Sequence, residues 1–600
     1  MSIPLRELQF DLFEILRLEQ LWPDGPETAT AILEAADDLA ATAFAPYAAK
    51  ADIDEPFVRD GQVVLPAETR AAQMAVADAG FIGTAFPAEY GGSGLPFTLS
   101  QACGSIFAAS NVGFYSYSML TQGAANLLLH FGSAAQREHW VPQMLAGRVF
   151  GTMCLSEPQA GSSLADITTL ATLQPDGRYL LRGRKMWISG GEHELSENIV
   201  HLVLARTPNA PAGVKGISLF LVPRFRNAST RERNGVTLIG LNHKMGWRAH
   251  VNTALAFGDG EDCVGELIGE LHQGLQYMFL MMNEARVTVG LAAAAIGFAG
   301  YTYSLAYARE RRQGRASGSR SAESPQVPIV EHADVRRMLL AQKAWVEGGV
   351  DLVLYCARLV DELRTVAVPA QQVATPEPTT SRSEASLLLD LLTPVAKSWP
   401  AEYGLEANKL AIQIAGGAGY TRDLPLERLY RDNRLNHIHE GAFGIHGLDL
   451  LGRKVVMHAG AAFGVWCKRL EHTIDQVGDL AQLQFERREL ARAKSQVELT
   501  TEHLVAAMQS ARQELALANA TPYLDAFGTV TVAWRWLERA RVAARRLAEL
   551  PPEHVDIDFY TGKLAACRYF YRYELPRALA TLEMVSTLDD TVLLTRNQVL

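Results

Sequence analysis

The spacing of apolar residues along the chain separates helical blocks from one block with strand-like alternation. Before residue 150, apolar positions recur at helical spacing in Glu27–Tyr47, Pro66–Ala79 and Ala134–Leu145. From Gly151 to about Gly269 the pattern changes to period-two alternation between turn residues, which is typical of strands. The helical period then returns and continues to the C-terminus. The pattern predicts a mainly α-helical protein with an inserted β-domain.

These changes of pattern predict four domains. They are a helical domain at 1–150, a β-domain at 151–272, a helical domain at 273–455 and a further helical domain at 456–600. A chain of 600 residues exceeds a single hydrophobic core, so several domains are expected. Two stretches rich in Pro, Ser and Thr, Gly314–Pro328 and Val368–Glu384, are predicted to be surface loops.

Composition and charge narrow the class of protein. The chain has 56 Lys plus Arg and 66 Asp plus Glu, and this acidic balance argues against a general nucleic-acid binder. The six cysteines include no C-x-x-C pair and make no disulfide framework, which argues against zinc ribbons and thioredoxin-type sites. The N-terminus mixes acidic and basic residues and does not read as a secretory signal. We therefore expect a cytoplasmic protein.

One uncharged segment, Val287–Ala308, is long enough to span a bilayer. It is rich in Ala and Gly and contains several Tyr, Thr and Ser residues, which contribute little to membrane insertion. This composition favours a buried helix in close contact with its neighbours.

Two segments near the start of the β-domain are candidates for binding chemistry. Met153–Thr168 (MCLSEPQAGSSLADIT) offers small residues whose N–H groups and hydroxyls suit an anion, although an ordinary turn would have the same composition. The strand pattern RKMWISGGEH places Trp187 and Ser189 on one face, where the indole could contact an apolar ring. A tryptophan that simply belongs to the core is the alternative.

A third segment, Gln413–Glu440, contains a glycine run followed by a single acidic residue. The run GGAG lacks the preceding strand and the spacing of a dinucleotide fingerprint, so we reject a Rossmann site. Glu440 lies in a glycine-flanked, mostly uncharged stretch, where a partly desolvated carboxylate can act as a base; a solvated Glu is the alternative. A metal site formed by His437, His439 and Glu440 is disfavoured by the helical context, and no metal is predicted.

Taken in order, these motifs resemble those of the flavin-dependent acyl-CoA dehydrogenases. The matching stretches lie within about residues 70–455 and are MCLSEPQAGSS, KMWIS, HKMGWRAH, NEAR, GGAGYTRDLPLERLYRD and IHEGA. The resemblance implies a helical bundle, a β-barrel or sandwich and a second helical bundle. It also implies FAD as cofactor and the α,β-dehydrogenation of an acyl-CoA thioester to the trans-2-enoyl-CoA.

The resemblance also implies roles for individual positions. Glu440 matches the base that removes the α-proton while the β-hydride passes to flavin N5; some relatives carry the base beside Arg286, where this chain has Ala285 next to Glu284. The positions that match flavin contacts are Met153, Leu155, Ser156, Trp187 and Ser189. Those that match contacts to the FAD pyrophosphate across a subunit interface are Arg311, Gln413, Gly416 and Gly417. Those on the substrate side are Ser162, Asn283, Arg286 and Gly441.

The chain also departs from the usual motifs near the proposed base. His439 stands where a Tyr is common, and His446 stands where a Gln is common.

Residues 456–600 extend beyond the usual family core. They resemble the extra helical domain of the long subgroup, which includes the 3-methylmercaptopropionyl-CoA dehydrogenases, and this implies a homodimer. The implied partners are an acyl-CoA substrate and electron-transfer flavoprotein as electron acceptor. The alternatives are an acyl-CoA oxidase, which passes electrons to dioxygen, and a non-catalytic flavin-binding relative of the DNA-damage response.

The charge of this C-terminal extension argues against the DNA-binding alternative. Residues 461–600 contain 17 Lys plus Arg and 18 Asp plus Glu, so the extension is not basic. The local cluster Arg535–Arg546 is interpreted as one solvated helix face. A weak contact of that helix with a membrane surface is left open.

Overall fold

The computed structural model describes residues 3–22, 25–316, 318, 321, 323–366 and 383–600. The predicted loop Val368–Glu384 lies outside these residues apart from its last two positions, and Gly314–Pro328 is described in part. The chain divides into two compact units. The first contains Ala31–Thr288, and the second combines the N-terminal segment up to Thr30 with Val289–Leu600.

Helices dominate the chain on both sides of a strand-rich middle part. The helices are α1 Leu5–Gln9, α2 Gly25–Leu39, α3 Ala48–Ile53, α4 Ala67–Asp78, α5 Phe97–Phe131, α6 Ala134–Leu145, α7 Gly274–Glu310, α8 Ala333–Val366, α9 Glu384–Ala415, α10 Leu426–Arg434, α11 Phe443–Asp449, α12 Met457–Gln476, α13 Gln484–Met508, α14 Gln513–Ala518, α15 Ala520–Glu549, α16 Ile557–Tyr569, α17 Leu575–Ser586 and α18 Thr591–Leu594. The predicted helix at Ala134–Leu145 is confirmed, and a capping box of Ser133 with Gln136 explains where it begins.

The strands form one large sheet and two short hairpins. The strands are β1 Phe57–Arg59, β2 Gln62–Val64, β3 Val149–Cys154, β4 Leu170–Leu173, β5 Tyr179–Ser189, β6 Asn198–Arg206, β7 Ile217–Pro223, β8 Phe225–Asn227, β9 Glu232–Arg233, β10 Val236–Leu241, β11 Asn252–Phe257 and β12 Val264–Leu267. The predicted inserted β-domain is therefore confirmed. The short hairpin β1–β2 was not predicted, because three-residue strands carry too little alternation to be recognised.

The large sheet has the strand order β10-β11-β5-β12-β7-β6-β3. Strand β4 pairs with both β5 and β6, so β5, β12, β7, β6 and β4 close into a ring. Buried side chains of this ring, among them Tyr179, Leu181, Val203 and Phe220, form the core of the β-domain together with Phe257 of the neighbouring strand β11. The alternation along the first part of β5 explains this arrangement, since Tyr179, Leu181 and Lys185 are buried while Arg182 and Arg184 are exposed.

Helices α7 and α9 approach each other closely within the second unit. A Cβ atom added at Gly290 of α7 would lie 1.9 Å from the carbonyl oxygen of Ala396 on α9, and one at Gly297 would lie 2.9 Å from Cα of Gly404. Helix α7 is long and apolar enough to cross a membrane, but 78% of its apolar 18-residue window is buried within the protein. The prediction of a buried, closely packed helix at Val287–Ala308 is confirmed.

The basic cluster on α15 corrects the sequence interpretation. Arg539 is fully buried and forms ion pairs with Glu7 and Asp11 of the N-terminal segment. Arg535, also buried, binds Asp351 through Nε at 2.7 Å. The prediction of one solvated face is therefore wrong for these two arginines, because they lie one helical turn apart on the side of α15 that faces other helices.

Candidate active site

The segment that follows β3 lies along strand β5 in the first unit. Met153 is the penultimate residue of β3, and Leu155 and Ser156 follow it; all three are half-buried. The carbonyl oxygen of Ser156 accepts a hydrogen bond from the Met186 amide at 3.0 Å. The structure thus brings the predicted flavin contacts of this segment beside those on β5.

A buried ion pair that was not predicted fixes this arrangement. Lys185 of β5 donates through Nζ to Glu157 Oε1 and to the Leu155 carbonyl, both at 3.0 Å. The Glu157 carboxylate also accepts from the amides of Thr168 and Thr169 at 2.7 and 3.0 Å. Burial opposes its ionisation, but Lys185 and these donors lower the pKa of Glu157 to about 2. The sequence contained one indication of this ion pair. Lys185 occupies an inward position of an alternating strand, and a buried charge of this kind requires a partner of opposite charge.

A bulge in β5 presents Trp187 on the outside of the sheet. The register between β5 and β11 shifts so that Ile188 faces Thr253 while Lys185 faces Leu255. Trp187, in the bulge, has a φ of 64° and remains 63% exposed, which is unusual for so large an apolar side chain. The core alternative for Trp187 is therefore excluded.

Ser189 is held by polar neighbours on β11 and beyond. Its hydroxyl accepts from Asn252 Nδ2 at 3.1 Å, and Asn252 Oδ1 accepts from Asn242 Nδ2 at 2.7 Å. The end of β5 therefore offers an exposed indole and, with Ser156 beside it, two hydroxyl groups. These groups fit a planar, polar ring system such as the flavin of FAD. Neither asparagine was predicted, because their contribution depends on strand pairing distant in sequence.

The residues of the first unit that match substrate contacts differ in how exposed they are. Ser162 is exposed in the loop after β3, and a Cβ at the adjacent Gly161 would meet nothing within 4 Å. Arg286 of α7 is buried, with Nη1 at 3.5 Å from Asn283 Oδ1. Glu284 accepts a 2.6 Å hydrogen bond from Asn126 of α5, so its carboxylate is already engaged within this unit.

Glu440 lies in a loop of the second unit, between α10 and α11. Glu440 has a φ of 53° and Gly441 a φ of 98°, so two consecutive residues adopt the left-handed region. For a residue with a side chain this conformation costs about 1–3 kcal/mol, and it persists only where the surroundings enforce it. A Cβ at Gly441 would lie 2.7 Å from His446 Nε2, which itself donates to the Glu440 carbonyl at 3.1 Å. The half-buried carboxylate of Glu440 therefore projects from a constrained backbone.

The two other residues of the metal-site alternative have protein partners. His437 pairs with Glu402 at 2.5 Å and stacks on Phe443, while His439 bonds to Asn436 at 3.2 Å. Within the part of the chain that the structure describes, no group of three or more His, Cys, Asp or Glu residues is arranged to hold a metal ion.

The positions that match contacts to the FAD pyrophosphate lie on the surface of the second unit. Helix α9 ends at Ala415, and Gly416 follows with a φ of 60° and open space around its Cα, as at Gly417. Gln413 and Arg311 are exposed as well. Accessible glycines and an exposed guanidinium each suit the close approach of a phosphate, so these residues fit the expected group.

Family comparisons cover most of the chain. The N-terminal domain of the acyl-CoA dehydrogenases matches residues 26–148, the middle domain 152–259 and the C-terminal domain 272–456. A further domain, described as acetyl-CoA dehydrogenase C-terminal like, matches residues 466–595.

Curated relatives match along the full length. The chain is 34% identical to 3-methylmercaptopropionyl-CoA dehydrogenase of Ruegeria pomeroyi over 98% of both chains. It is 30% identical to the broad-specificity linear acyl-CoA dehydrogenase FadE5 of Mycobacterium tuberculosis, again over 98% of both.

Solved structures share the fold. ACDH-11 of Caenorhabditis elegans in complex with C11-CoA matches with a TM-score of 0.77 and 18% identity, covering 98% of this chain and 95% of that one. An acyl-CoA dehydrogenase of Bacillus anthracis complexed with FAD matches with a TM-score of 0.71 and 19% identity, covering 96% and 90%. The chain therefore belongs to the acyl-CoA dehydrogenase family, flavoenzymes whose general reaction is the FAD-dependent dehydrogenation of an acyl-CoA.

Proposed function

We propose that Glu440 is the base of this dehydrogenation and removes the α-proton of the acyl thioester. The observation that carries the assignment is the constrained loop, in which Glu440 and Gly441 both have positive φ and the Glu440 carbonyl is bound by His446. A fixed backbone directs the half-buried carboxylate, and proton transfer requires such alignment with the substrate. FAD, when bound, supplies the acceptor for the β-hydride.

The first unit provides the residues proposed to hold the flavin. Trp187 offers an exposed aromatic face, Ser156 and Ser189 offer hydroxyl groups, and the Lys185–Glu157 pair keeps the two segments together. Ser162, Asn283 and Arg286 are proposed to contact the CoA part of the substrate.

The assembly and the electron acceptor are further parts of the proposal. We propose a homodimer in which Arg311, Gln413, Gly416 and Gly417 contact the pyrophosphate of the cofactor bound mainly by the partner; their exposure supports this. Electron-transfer flavoprotein is the proposed acceptor. A cytoplasmic location is proposed because all six cysteines are unpaired and buried, as suits a reducing compartment.

The test replaces Glu440 with Gln in the FAD-loaded enzyme. Glu440→Gln should abolish anaerobic bleaching of the flavin by acyl-CoA, because the amide cannot accept the proton, while flavin content stays unchanged. Glu406→Gln, a change at a surface residue of α9 paired with Lys409, is the matched control and should bleach normally. Near-normal bleaching by Glu440→Gln would refute the base assignment.

The electron acceptor and the preferred acyl group are identified with the same enzyme preparation. Acyl-CoAs of graded length, together with a thioether-containing one, should bleach the flavin at rates that identify the preferred chain. Turnover is then expected with electron-transfer flavoprotein; peroxide formation in air without another acceptor would instead favour the oxidase alternative.

A further inference from the structure

The loop that carries Glu440 is bound at two successive carbonyl groups. His446, whose side chain is buried, binds the Glu440 carbonyl as described above. Lys397 of α9 is fully buried, and its Nζ donates to the carbonyl oxygen of Gly441 at 2.7 Å. A buried ammonium is costly unless its donors are used, so its placement at this carbonyl is a specific feature of the loop.

The residue before Glu440 ends a chain of buried amides. His439 Nε2 lies 3.2 Å from Asn436 Oδ1, Asn436 Nδ2 donates to Asn433 Oδ1 at 2.9 Å, and Asn433 Nδ2 donates to Asn408 Oδ1 at 2.7 Å. The chain is anchored on α7, where the carbonyl groups of Ala293 and Ile296 accept from Asn433 and Asn408 at 3.0 and 3.1 Å. The three asparagines are completely buried.

The direction of these hydrogen bonds determines the role of His439 Nε2. Every amide donates towards α7, so the only role left for His439 Nε2 is to donate its proton to Asn436. Burial and the nearby Lys397 lower the pKa of His439 to about 3, so the imidazole stays neutral at physiological pH. A neutral donor ring is thus tied through three amides to a helix backbone.

We propose that Lys397 and the chain from His439 to Asn408 are positioning residues that hold Glu440 in its left-handed conformation and so align its carboxylate with the substrate. The inference rests on the proposed role of Glu440 as base. It assigns a purpose to asparagines and a lysine that contact neither the cofactor nor the substrate in the proposed function. Misalignment by about 1 Å costs on the order of 100-fold in rate, so a positioning role predicts a large effect without loss of substrate binding.

The experiment separates alignment from binding by stopped-flow reduction of the FAD-loaded enzyme with acyl-CoA. His439→Leu and Lys397→Met, which remove the donors, should lower the reduction rate at saturating acyl-CoA by about 100-fold. The dissociation constant of the acyl-CoA and the flavin content should stay within about twofold of the wild-type values. His439→Gln, whose neutral amide can donate to Asn436, should restore most of the rate.

Controls address folding and the surface charge of α9. Lys409→Met removes an exposed lysine of the same helix, which pairs with Glu406, and should leave the reduction rate unchanged. Asn436→Ser is the mildest substitution in the chain of amides and is used if His439→Leu or Lys397→Met prevents folding. It should also slow the reduction of the flavin at saturating acyl-CoA.

The outcomes distinguish this inference from the proposed function. If Glu440→Gln is inactive but His439→Leu, Lys397→Met and Asn436→Ser reduce flavin at the wild-type rate, the positioning role is overturned and the base assignment stands. The positioning role is also overturned if His439→Gln is as slow as His439→Leu. Normal reduction by Glu440→Gln would instead overturn the base assignment itself.

Discussion

Replacing Lys185 with Met tests whether its buried ion pair with Glu157 holds the segment after β3 against β5, where the flavin is proposed to bind. Lys185 and Glu157 are 1% and 3% exposed, so the methionine fills the space but leaves the carboxylate without its counter-ion. The pKa of Glu157 is about 2 instead of 4.5. At 1.36 kcal/mol per pKa unit, its ionised form contributes about 3 kcal/mol to the free energy of unfolding. Loss of one partner of a buried pair costs about 3–5 kcal/mol, which agrees in size.

The stability lost in Lys185→Met depends on pH in a definite direction. The folded-state pKa of Glu157 is lowered, so its stabilisation is complete above about pH 4.5 and is lost as the pH falls towards 2. The difference between wild type and Lys185→Met should therefore be largest at neutral pH and shrink below about pH 4.5.

The assay combines denaturant unfolding with a local measurement. Hydrogen exchange of the Met186 amide, which binds the Ser156 carbonyl, reports directly on the contact between the two segments. Lys185→Met should speed this exchange and release flavin at lower denaturant. Arg184→Met, on the same strand but with a side chain 68% exposed, is the control and should change the unfolding free energy by less than about 0.5 kcal/mol. A change below about 1 kcal/mol in Lys185→Met, with normal exchange, would refute the reasoning.

Three further substitutions test the contributions of individual buried and exposed side chains. Trp187→Ala should reduce flavin retention on gel filtration while the unfolding free energy of the flavin-free protein stays within about 0.5 kcal/mol, because the indole is exposed; unchanged retention would contradict a flavin contact. Arg539→Leu should cost about 3–5 kcal/mol in denaturant unfolding, since it removes the ion-pair partner of the buried Asp11, whereas Arg546→Leu at the surface should cost less than about 1 kcal/mol. Burial raises the pKa of Asp525 from 3.8 to about 6, although a hydrogen bond from Tyr403 opposes the rise. The contribution of Asp525 to the free energy of unfolding is therefore complete below about pH 4, and up to about 3 kcal/mol of it is lost by pH 6. Asp525→Asn should remove this pH dependence of the unfolding free energy.

The local sequence pattern was sufficient to predict those helices and strands that depend on residues close to each other in the chain. The strand–turn–strand of β4 and β5 and helix α6 follow from alternation, turn residues and a capping box, all within a few residues of each other. The order of helical and strand-like blocks determined the fold class in the same way. The motifs around Ser156, Trp187 and Glu440 indicated the family and its chemistry, because these stretches are continuous in sequence.

Tertiary structure alone decided the partners of buried polar groups. Arg539 on α15 looked solvated by composition, yet it binds Glu7, more than 500 residues earlier in the chain. Asn408 and His439 became parts of one hydrogen-bonded chain only when α7, α9 and α10 packed together. The physical reason is that helical and strand periodicities arise from contacts between near neighbours, whereas satisfying a buried charge or amide depends on which distant segment is brought against it.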